Sequence, residues 1–79
     1  MSEAEEDTRR AILAGRAIID GRSLELEFAP IMVTLEHAVA SVLLCLIRDP
    51  RKASAMLNEG LLQGVEGRLA LYASKEKQR

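Results

Sequence analysis

The stretch Ile31 to Ile47, IMVTLEHAVASVLLCLI, is apolar apart from Thr34, Glu36, His37 and Ser41. Pro30 stands before it, and proline suits the first turn of a helix, where its missing N–H would have no partner. The segment therefore predicts a long helix, Pro30–Arg48, that is apolar on most of its circumference. Such a helix has to be covered on most sides. A chain of 79 residues can offer one or two further helices for that task. Chains this short bury only about 60% of the surface their unfolded forms expose, and many rely on association. A second copy of the chain is the natural source of the missing cover.

A lipid bilayer is the other environment that accepts apolar helices. The run is 17 residues long and carries Glu36 and His37, whereas spanning helices need about 20 predominantly apolar residues. No membrane partner is expected. The N-terminus lacks a basic stretch followed by an apolar one, so no signal peptide is expected. Cys45 is the single cysteine and cannot form an internal disulfide, which fits a reducing, cytoplasmic setting. Apolar residues make up 48% of the chain, too many for intrinsic disorder. Phe28 and Tyr72 are the only aromatic residues, so any core is aliphatic. Eleven basic and twelve acidic residues nearly cancel, which removes any global pull toward nucleic acid or anionic membranes.

Two further helices flank the central one. In SEAEEDTRRAILAGRAIID, Ser2 and Glu5 have capping-box spacing, and the acidic first turn suits the positive end of the helix dipole. Ala11, Ile12, Gly15, Ile18 and Ile19 gather on one side at 100° per residue, and Gly21 is placed to stop the helix. After the central helix, Asp49 can cap the next one, with Pro50 in its first turn. That third helix is expected over Pro50–Ser74, with residues 1–7 and 75–79 as frayed ends. Between the first two helices, RSLELEF alternates Leu24, Leu26 and Phe28 with polar residues, the period of a half-buried strand. An extended connector or short strand is expected there, although Leu24, Phe28 and Ile31 also fit helical spacing.

Three glycines fall within GLLQGVEG, Gly60 to Gly67. On an uninterrupted third helix, Ala53, Met56, Gly60, Gly64, Gly67 and Leu71 form a stripe beside a broad apolar face of Leu57, Leu61, Leu62, Val65, Leu69 and Tyr72. Each interior glycine costs about 0.8–1 kcal/mol relative to alanine. Close approach of another helix is the expected compensation, and it is preferred over a helix break near Gly60. A phosphate-binding loop would need a preceding strand and a following Lys-Ser or Lys-Thr, and neither is present.

Little else carries chemistry. His37 and Cys45 lie eight residues apart, about 12 Å along a helix, too far to share one metal ion at bonds near 2.0–2.3 Å. Cys45 among leucines reads as a small buried hydrophobe. Glu36 falls in an apolar neighbourhood and needs a partner if buried, with Arg10, Arg16 or Arg22 available for an ion pair. No catalytic residue, metal site or cofactor is expected.

The fold expected is thus all-α and a single domain over 1–79: a helical hairpin with an additional N-terminal helix, dimerising into a four-helix-type bundle. The function expected is that of a non-enzymatic, dimerising interaction or adaptor protein with an unidentified protein partner. Its interface would comprise Val39, Val42, Leu46, Met56, Gly60, Gly64, Gly67 and Leu71, with Glu36 and His37 as buried polar residues. The alternative is a small nucleic-acid-binding regulator that uses Arg48, Arg51 and Lys52.

Overall fold

A computed structural model describes residues 2–77, and every regular element among them is helical. Helix α1 spans Glu3–Ile19, α2 Phe28–Leu46, α3 Pro50–Met56 and α4 Leu62–Lys77, with a π turn, Leu57–Leu61, joining the last two. The all-α class agrees with the sequence. The chain divides into two compact units, Met1–Ser41 and Val42–Arg79, with the division inside α2.

In the first unit the start of α1 follows from its cap. Ser2 is extended, its hydroxyl accepts from the Glu5 N–H, and the same hydroxyl donates to the Glu5 carboxylate at 3.1 Å. Arg9 and Arg10 both reach back to Glu6, at 3.1 and 3.9 Å. The helix ends when Asp20 enters the left-handed region (φ 51°) and Gly21 follows at φ 69°. The Asp20 N–H still bonds the Arg16 carbonyl at 2.7 Å, the type of bond that satisfies a last-turn carbonyl.

Residues 23–27 are neither strand nor extended connector. The Glu27 N–H donates to the Ser23 carbonyl at 2.9 Å, closing a helical turn. The Ser23 hydroxyl accepts from the Leu26 N–H, and the Glu27 carboxylate accepts from the Ser23 N–H at 2.9 Å. This reciprocal capping begins the helix before Pro30. Helix α2 therefore starts at Phe28, and Pro30 still lies in its first turn. The alternation of Leu24, Leu26 and Phe28 serves no sheet, and Leu26 is left 88% exposed.

One side chain ties α1 to α2. Arg22 donates from Nε to the Ile19 carbonyl, and from a terminal guanidinium nitrogen to the Ile18 carbonyl and to Thr34 Oγ1 at 3.0 Å. Thr34 in turn donates to the Pro30 carbonyl. Away from this tie the apolar side of α1 stays open. Ile12 and Leu13 are exposed, and no described residue up to Ser41 is buried.

The second unit begins with the end of α2 at Leu46. Arg48, expected inside the helix, lies in the linker. The cause is local: a residue before proline is pushed away from the α region, and Asp49 adopts φ −79°, ψ 116° to cap α3. Its carboxylate accepts from the Arg51 N–H at 2.9 Å. Ala53, on the next turn, is the one buried position among the described residues, at 6% exposure.

The third helix is neither straight nor broken. At Leu57–Leu61 the ladder changes from i→i−4 to i→i−5, with the Leu62 N–H donating to the Leu57 carbonyl. A single π turn of this kind inserts one extra residue into an α-helix. Everything beyond it is rotated by about 100° relative to an uninterrupted helix. The Asn58 side-chain amide donates to the Ser54 carbonyl at 2.9 Å beside the turn. Helix α4 then continues past Ser74 to Lys77, so Lys75 is helical. The expected frayed positions Met1, Gln78 and Arg79 lie outside the described residues.

Candidate interaction surface

Helix α2 supplies the first apolar surface. Val42 and Leu46 are exposed, the latter at 75%, while Val39 is half-buried. Phe28, Met32, Val33, Leu35 and Leu44 are exposed as well. The helix is long and apolar enough to cross a membrane by length and composition, and none of it is buried. Glu36 and His37, expected to be buried, both face solvent in the chain. Neither takes part in a side-chain hydrogen bond or ion pair among the described residues. The Arg22 guanidinium that was a possible partner for Glu36 is committed to Ile18, Ile19 and Thr34. Cys45, read as a buried hydrophobe, is exposed.

The second surface lies on the third helix, and here the π turn alters the sequence-based faces. With the extra residue counted, Leu62, Val65, Leu69 and Tyr72 come round to the side of Ala53 and Leu57. Ala53 is buried and Leu57 half-buried, whereas Leu69 is 60% and Tyr72 56% exposed. Gly64, Gly67 and Leu71 are turned away from Ala53, so the six-residue glycine stripe does not run unbroken along the helix. No side chain approaches Gly64 or Gly67, where an added Cβ would meet nothing within 4 Å. Gly60 differs: a Cβ there would come 2.9 Å from the Met56 sulfur.

The basic residues form a third patch. Arg48, Arg51 and Lys52 are exposed around the α3 N-terminus, with Asp49 among them. No group of three metal-binding side chains comes together among the described residues. A shallow concavity beside Ala4, Thr8, Ile12 and Arg16 is lined by α1 alone and encloses nothing.

What the exposed apolar side chains of α2 and α4 can do is bury area against another surface. No family model, curated protein or solved structure matches this chain.

The π turn escaped the sequence reading, as did the Arg22 tie and the Ser23–Glu27 cap. Weak signals existed for the turn and the cap. LNEGL places Asn58 and Gly60, both poor helix formers, within one turn. Ser23 and Glu27 stand four apart, one residue longer than the usual capping box.

Proposed function

We propose that this chain is a non-enzymatic interaction protein that works as a homodimer in the cytoplasm and binds a protein partner through the surface left over. The exposure of α2 on nearly all sides carries the reading. In the dimer α2 of each copy, with Val39, Val42 and Leu46, lies in a shared core of four-helix type built from helical hairpins. Glu36 and His37 lose their exposure only on association, and their burial would set the register of the two copies. Light scattering behind size exclusion over a hundredfold concentration range tests it. A constant dimer mass is expected, and a monomer at micromolar concentration would sink the reading.

A second reading places α2 in a bilayer, because its 19 residues measure about 28 Å, close to the roughly 30 Å hydrocarbon thickness. Its nine Leu, Ile, Val and Phe residues would contribute about −3 to −5 kcal/mol to insertion, and a central charge costs about 2.5–3.5 kcal/mol. Glu36, next to the helix midpoint His37, therefore cancels most of that gain. Thr34 and Ser41 weaken it further. Burial against protein, where Glu36 can find a hydrogen-bonding partner, is the better supported alternative. Flotation of the purified chain with phosphatidylcholine vesicles separates the two readings, and the dimer reading expects the protein to stay at the bottom of the gradient.

A further inference from the structure

The dimer reading leaves open which side of α2 meets the second copy, and in which direction the two helices run. We infer that two copies pair α2 against α2 in antiparallel, through the seam Phe28, Met32, Leu35, Val39, Val42 and Leu46. This rests on the dimer reading.

The seam is a heptad run. Its steps are four, three, four, three and four residues, the spacing that seats side chains of one helix between those of another. At 100° per residue the six positions fall within about 80° of the circumference, along one continuous helix. Five of the six are exposed and Val39 is half-buried. On the opposite side of α2, His37 and Ser41 stand between Val33 and Leu44 and interrupt any such run. On the neighbouring side, Ile31 and Ala38 are half-buried next to Thr34, which takes the Arg22 tie. Thr34 lies about 120° from the centre of the seam, so the junction with α1 leaves the seam open.

The occupant is a second copy because both the spacing and the charge of this segment complement themselves. The seam is symmetric about residue 37, the midpoint of α2. A two-fold axis there sets Phe28 against the partner's Leu46, Met32 against the partner's Val42 and Leu35 against the partner's Val39, each pairing occurring twice. The helix ends then match in charge. Glu25 and Glu27 precede α2, and Arg48, Arg51 and Lys52 follow it with Asp49 among them. Two carboxylates at one end thus meet three cations less one carboxylate at the other. Arg22, just before Glu25, is committed to the end of α1 and to Thr34. A parallel pair would instead bring like charges together at both ends. Glu36 is the one charge between the ends. It lies about 80° from the centre of the seam, beside the axis, where it meets its own copy.

The test uses the full chain. Sedimentation equilibrium across a hundredfold concentration range would compare the wild type with Leu35→Asp and Val42→Asp on the seam, and with Val33→Asp and Leu44→Asp on the opposite side. Far-UV circular dichroism would confirm that each remains helical. The seam predicts a dimer dissociation constant raised at least tenfold by either seam aspartate and less than threefold by either of the others. Glu36→Gln removes the like-charge approach at the axis and should lower the constant at least twofold. A second measurement holds should the seam variants lose helicity. In a Cys45→Ser background, a mixture of Phe28→Cys and Leu46→Cys chains should cross-link under mild oxidation, and neither variant alone should do so. A wild-type dimer that tolerates both seam aspartates overturns the seam and leaves the dimer standing. Cross-linking of either cysteine variant by itself, or a Glu36→Gln dimer that is no tighter, overturns the antiparallel pairing. A wild-type monomer over the whole range removes the dimer and the seam together, and flotation with phosphatidylcholine vesicles would then assign α2 to lipid.

Discussion

Arg22 is the residue on which the junction of α1 and α2 depends, because one guanidinium serves two carbonyls at the end of one helix and a hydroxyl on the next. Hydrogen bonds to a charged donor are worth about 1.5–3 kcal/mol when buried, and this half-buried set warrants the lower end. Arg22→Ala should cost about 1.5 kcal/mol in urea denaturation. Thr34→Val should cost less, and in a double-mutant cycle the two should be strongly non-additive. Gly21 is the other residue with a defined strain, since φ 69° suits glycine and few others. Gly21→Ala should destabilise by about 1 kcal/mol. The interior glycines behave in the opposite way. Gly64→Ala and Gly67→Ala meet no neighbour and should each stabilise by about 0.8–1 kcal/mol through helix propensity. Gly60→Ala should gain less, because the added methyl must displace the flexible Met56 thioether from 2.9 Å. Thermal melts at fixed concentration would rank the three.

At the scale of elements, the third helix is defined by its π turn. Deleting Asn58 removes the extra residue of Leu57–Leu61 and lets an i→i−4 ladder run from α3 into α4. The helix itself should become more regular. The apolar residues of α4 would then rotate about 100° away from Ala53. Higher helicity by circular dichroism together with weaker self-association is the expected pair of results. Unchanged association would mean that the alignment across the turn has no role. The start of α3 makes a separate prediction. Asp49→Ala removes the side-chain acceptor of the Arg51 N–H and should cost about 1 kcal/mol. That loss should be independent of the Gly21 effect, since the two sites share no partner.

For the whole molecule, the balance between exposed apolar surface and available cover dominates. A chain with one buried residue among those described has little stability of its own. Its melting temperature should therefore rise with concentration, as binding to a second copy stabilises the folded state by mass action. A concentration-independent melt with a monomer mass would contradict this. The exposed Arg48, Arg51 and Lys52 also permit a direct trial of the nucleic-acid alternative. Binding through them would weaken steeply as salt rises, and the interaction reading expects no binding to duplex DNA even in low salt.

What could be read before any coordinates was whatever depends on partners within about four residues. Ser2 and Asp49 as caps, Gly21 near a helix stop, Pro30 and Pro50 in first turns, and the all-α class each follow from local backbone donors and acceptors and the side chains beside them. The Ser23–Glu27 turn was the local feature misjudged, because Leu24, Leu26 and Phe28 satisfy the strand and helix periods about equally and a cap decides between them. The glycine stripe is interrupted for a different reason. Periodicity assumes a constant number of residues per turn, and one i→i−5 step at Leu57–Leu61 shifts every later residue to a new side. Exposure of Glu36, His37 and Cys45 likewise lay beyond the sequence, since burial is a property of neighbours and not of the residue. Local hydrogen-bonding chemistry is written residue by residue, whereas the facing of one surface toward another exists only once the backbone has chosen its path.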